Sequence, residues 1–78
     1  PPNTFVASVK LDPTRVVKDA GRAVVEVLEH LSTLPDAEVE VTLEMRVRVP
    51  DGIKETAVRT VSENAKTLKF QTAAFERE

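Results

Sequence analysis

Glu38-Val39-Glu40-Val41-Thr42-Leu43-Glu44-Met45-Arg46-Val47-Arg48-Val49 is the stretch whose reading decides the fold. Its odd positions are all apolar and its even positions all polar, without exception over twelve residues. Strict period-two alternation rich in valine predicts a strand with one buried and one wet face. Apolar material from elsewhere in the chain must then cover the odd side.

Upstream, Phe5, Ala7, Val9 and Leu11 alternate with Val6, Ser8 and Lys10, which predicts a short first strand. Asp12-Pro13 stops it and opens a helix, with Asp12 as the capping residue and Pro13 in the first turn, where its missing N–H costs nothing. From there Val16, Val17, Ala20, Val24, Val27, Leu28, Leu31 and Leu34 recur at three- and four-residue spacing, one apolar face of a helix that Pro35 ends. Gly21 lies on that inner face beside Ala20 and predicts the close approach of another backbone, offsetting the ~1 kcal/mol that glycine costs a helix relative to alanine.

Downstream, Pro50-Asp51-Gly52 is a turn signal. Ile53, Ala57, Val58, Val61, Ala65 and Leu68 then share one face of a second helix. The run Lys69–Phe75 leaves a third strand open, since its alanines are poor strand formers. The expected fold is therefore an α/β two-layer sandwich, ordered β-α-β-α with a possible third strand, both helices on one face of a small sheet. Residues 1–4, with the pair Pro1-Pro2, read as a linker remnant, 5–75 as a single domain excised from something longer, and 76–78 as a frayed tail.

A chain of 78 residues buries only about 60–65% of the surface it exposes when unfolded, so a deep internal active site is not expected. Net charge is −2 and there is no cysteine, which removes disulfides and thiolate metal sites and fits a cytoplasmic protein. No apolar run approaches the ~20 residues that span a bilayer, so no membrane partner is expected.

Chemistry is sparse. Two glycines write neither a phosphate-binding loop nor a dinucleotide fingerprint. His30 is the single histidine, without the companions a metal or a nucleophilic serine requires, and reads as a last-turn residue facing the helix dipole. Glu38, Glu40 and Glu44 share a strand face with Arg46 and Arg48, which makes that face a solvated one of mixed charge and not an acid pair. No enzyme and no cofactor is expected. Arg46, Arg48, Arg59, Lys66 and Lys69 form at most a modest basic patch, and with three Phe and no Tyr or Trp there is little to stack on bases.

Leu11-Asp12-Pro13-Thr14-Arg15, Asp19-Ala20-Gly21-Arg22 and the run from Val58 to Phe70 resemble the C-terminal region of a family of large bacterial and archaeal ATP-binding proteins of unknown function. That family is similar to AAA-type ATPases and is associated with DNA-modification and phage-defence gene clusters. The resemblance implies a terminal domain whose ATP-binding motif lies elsewhere in its parent. The expected function is a non-catalytic accessory or interaction domain that mediates self-association or docking onto parent-protein domains, and the alternative is a small nucleic-acid-binding module. Candidate contact residues are Arg15, Asp19, Arg22, Asn64, Arg46 and Arg48, against the plainer reading of helix-surface ion pairs such as Arg15 with Asp19 and Arg22 with Glu26. A long, incompletely paired edge at Glu38–Val49 also predicts a homodimer through that stretch.

Overall fold

The structure, a computed structural model, describes residues 1–77. It contains two helical stretches and, among the described residues, no strand or sheet. The α/β sandwich expected from the alternation is therefore not formed. Phe5–Leu11, Glu38–Val49 and Lys69–Phe75 all lie outside regular secondary structure. The physical reason is that a strand places its N–H and C=O groups on a neighbouring strand, and none of these segments has one. The odd positions of the central stretch consequently stay in water, with Val41 71% and Val47 75% exposed.

By their internal contacts the residues divide into Pro1–Leu43 and Glu44–Glu78. In the first unit Asp12 does not cap the helix as expected. Its carboxylate accepts the Thr14 backbone N–H at 3.0 Å and the Thr14 hydroxyl at 2.8 Å, while its carbonyl accepts the Arg15 N–H at 2.9 Å. This is an aspartate-initiated turn with Pro13 at its second position, where a fixed φ suits the chain. The helix starts after it: α1 spans Val16–Ala23, with Arg15 as N-cap and no side-chain capping bond.

Helicity continues through a π-helical segment, Val24–Leu28, into the short α2, Glu29–Ser32. A π turn closes i→i+5 and not i→i+4 bonds. This one carries three valines in five residues, the side chains with least χ1 freedom inside an α-helix. After α2 the Thr33 hydroxyl donates to the Glu29 carbonyl at 3.2 Å. Leu34-Pro35-Asp36-Ala37 then forms a turn closed by the Ala37 N–H on the Leu34 carbonyl at 3.2 Å. Asp36 takes φ 60°, so Pro35 and a left-handed residue occupy the central positions in the type II pattern.

The second unit opens its ordered part with the expected turn, in which the Gly52 N–H donates to the Val49 carbonyl at 2.9 Å. Gly52 has φ 96°, a conformation that glycine adopts without a Cβ penalty. Helix α3 spans Glu55–Thr67, with Glu55 in its first turn and Lys66 in its last, each charge complementing the adjacent end of the helix dipole. Its end is a Schellman cap: the Phe70 N–H reaches the Ala65 carbonyl at 2.9 Å and the Lys69 N–H the Lys66 carbonyl at 3.0 Å. Lys69 pays for this with φ 60°. The cap uses residues that a third strand would have needed.

Ala65, 8% exposed, is the one buried residue among those described. Leu11, Val16, Asp19, Ala20, Leu28, Leu31 and Val58 are half-buried. Among the described residues nothing approaches Gly21: a Cβ there meets no heavy atom within 4 Å, so the expected close backbone contact is absent. Gly21→Ala should therefore stabilise the helix by about 1 kcal/mol, read as higher helical ellipticity and a higher Tm. A loss of helicity would mean that another segment does pack on that face.

Candidate functional site

The polar residues expected to make contacts fall in both units. Arg15, Asp19 and Arg22 belong to the first unit, at and along α1, whereas Arg46, Arg48 and Asn64 belong to the second. On the first helical stretch the arginines are engaged locally. Arg15 Nη2 lies 3.8 Å from Asp19 Oδ1, and Arg22 Nη2 lies 3.6 Å from Glu26 Oε2. Both distances exceed hydrogen-bond length, and both pairs put the cation on the N-terminal side, the weaker order at i, i+4. Each is worth roughly 0.3 kcal/mol or less. Asn64 sits on the last turns of α3, where its carbonyl accepts the Leu68 N–H at 2.9 Å. His30 lies in the last turn of α2.

Shallow hollows open on the surface of the described residues. One runs along Pro13–Lys18 at the start of α1. Another is lined by Val61, Ala65, Lys66, Phe70, Gln71 and Phe75 and follows from the Schellman cap, which turns Phe70 back over the C-terminal end of α3. A hydrophobic residue two positions past the cap commonly packs in this way. The sequence gives little sign of this hollow, because lysine has no preference for the left-handed conformation that Lys69 adopts, whereas glycine or asparagine there would have signalled a cap.

Among the described residues no group of three or more histidine, cysteine, aspartate or glutamate side chains is placed to hold a metal ion. Among the described residues no helix is long and apolar enough to cross a membrane. The Thr14 backbone N–H, and after it the Thr14 hydroxyl, hold Asp12 below the usual carboxylate range, against a small opposing effect of burial.

Exposed large apolar side chains occur in both units, at Val39, Val41 and Leu43 in the first and at Met45, Val47 and Val49 in the second. Val39, Val41, Leu43, Met45, Val47 and Val49 are all exposed, and the polar residues between them change from acidic at Glu38, Glu40 and Glu44 to basic at Arg46 and Arg48. In comparisons with known proteins, no family model, no curated protein and no solved structure matches this chain.

The Asp12 turn carries its own test. A carboxyl with a depressed folded-state pKa adds stability that is present above the unfolded pKa and is lost as pH falls through the folded pKa. The Thr14 amide resonance should therefore hold its bonded position through the normal aspartate range and move only at lower pH. Thr14→Ala removes the hydroxyl but keeps the backbone donor, so the Asp12 carboxyl titration, followed by carbon NMR, should move part of the way back up.

Proposed function

We propose that this chain is a non-catalytic interaction region whose role is to bring protein surfaces together through the apolar side of Glu38–Val49. The observation that carries the reading is the exposure of six consecutive odd-numbered apolar residues, ranging from Val49 at 46% to Val47 at 75%, in a segment that forms no strand among the described residues. A backbone of this kind gains hydrogen bonds and apolar contact together when a second strand lies against it. The helices have helical backbone bonds of their own, so pairing with another strand is left to the segments outside them.

The resemblance of Leu11–Arg15, Asp19–Arg22 and Val58–Phe70 to the C-terminal region of ATP-binding proteins supplies the setting. In that setting the chain serves a larger, nucleotide-hydrolysing protein in the cytoplasm and contributes assembly, not hydrolysis. Its polar inventory supports the non-catalytic part: one histidine, no cysteine, and arginines on α1 occupied by neighbouring carboxylates.

Amide hydrogen exchange tests the reading. In the dilute 78-residue chain the amides of residues 39–49 should exchange rapidly, and within the full-length protein or at high chain concentration they should become protected by about tenfold or more. Rapid exchange under every condition would end the proposal. Steeply salt-dependent binding to a duplex DNA probe, abolished by R46A and R48A together, would replace it with the nucleic-acid reading.

A further inference from the structure

We propose that the partner on Glu38–Val49 is a second copy of the same stretch, antiparallel, with a two-fold axis through Leu43. The inference rests on the reading of this stretch as an interaction surface and adds to it the identity and register of the partner. When two copies run antiparallel so that Leu43 lies opposite Leu43, Glu40 faces Arg46 of the second copy and Arg46 faces its Glu40. Glu38 and Arg48 fall opposite each other in the same register, and Thr42 falls opposite Glu44. On the other side Val39 meets Val47 and Val41 meets Met45. Opposite charges placed across a ladder stabilise it, and like charges so placed destabilise it.

Competing arrangements do worse on the same criterion. Slipping the pairing by two residues in one direction keeps Glu38 against Arg46 but sets Glu40 against Glu44, and in the other it keeps Glu40 against Arg48 but sets Glu44 against Glu44. A parallel, in-register stack puts every charge on its own copy, Glu38 on Glu38 and Arg46 on Arg46. A slip by one residue would turn the apolar positions of one copy to the polar side of the other. The change from acidic to basic along the stretch therefore selects a closed, two-fold pair over an open stack of copies.

The ends of the stretch agree with this register. Pairing in it extends from Ala37 opposite Val49 and stops where Asp36 meets Pro50. At one end Asp36 turns left-handed with φ 60° and the Ala37 N–H is held by the Leu34 carbonyl. At the other, Pro50 has no N–H to donate and the Val49 carbonyl is held by the Gly52 N–H. Both limits come from local turns in the single chain, and they coincide when two copies are related through Leu43.

Charge reversal and reversion provide the experiment, with self-association of the 78-residue chain followed by sedimentation velocity across a wide concentration range. The wild-type chain should form a concentration-dependent dimer. Glu40→Arg alone and Arg46→Glu alone each turn two attractions per dimer into repulsions and should weaken it about tenfold. Combining the two restores opposite charges across the pair and should recover the wild-type affinity. Because the chain has no cysteine, L43C should cross-link to itself on oxidation, V39C should not, and V39C mixed with V47C should. Failure of the double variant to recover, or preferential self-cross-linking of V39C, would overturn the antiparallel register. A chain that stays monomeric throughout, yet has residues 39–49 protected within the full-length protein, would overturn self-pairing and leave the docking reading intact. Rapid exchange in both would remove both.

Discussion

The backbone hydrogen bonds of the helices, the turns and the α3 cap are closed within a few positions of the chain. The helices bond at i→i+4, the π segment at i→i+5, the turns at Asp12, Leu34 and Val49 over three residues, and the cap of α3 over five. This locality is the constraint on which the rest depends. A helix can satisfy its own amides wherever the chain goes, whereas an extended segment has to borrow partners from elsewhere. Two amphipathic runs therefore form helices, and three alternating or apolar runs do not form a sheet.

Local bonding gives order without much burial. Ala65 is closed off from water beneath its own cap, a contribution on the order of one methyl group, or roughly 0.8 kcal/mol. A thirteen-residue helix such as α3 is marginal in water when nothing packs on it. The exposed valines of α1, the π segment and the central stretch represent apolar area whose burial would stabilise the chain if it were covered. Anything that covered the stretch from Val39 to Val49 would in this sense also contribute to holding the ordered state.

The helices are legible in the sequence because their evidence is intrinsic. Val16, Ala20, Leu28 and Leu31 on the first stretch and Val58, Val61 and Ala65 on α3 repeat at helical spacing, and Pro50-Asp51-Gly52 marks its turn through the properties of proline and glycine. Alternation in Glu38–Val49 is evidence of a different kind. It states which side of a ladder would be dry and which wet, but not where the ladder's other strand comes from. The small residues at Gly21 and Ala20 are ambiguous in the same way, since they permit a close approach without requiring one. Asp12 signals a helix start ahead of the true one because its carboxylate serves a turn as readily as a helix end. Lys69 gives no signal at all, because its left-handed backbone is set by neighbouring bonds and not by its own preference. The polar candidates Arg15 and Arg22 are legible mainly as surface ion pairs, with partners four residues away.

The π segment at Val24–Leu28 bears on how this chain tolerates changes in length. A π turn accommodates more chain than an α turn does. Removing a single residue from an ordinary helix rotates everything beyond the cut by about 100° around the axis, which scrambles the apolar face. Removing one from the π segment can instead tighten the wide turn into an α turn, and Leu28 and Leu31 then keep their alignment with Val16 and Ala20. The first helical stretch thus holds a spare residue at its middle, a place where the gene could shorten by one codon and leave the helix continuous and its faces in register.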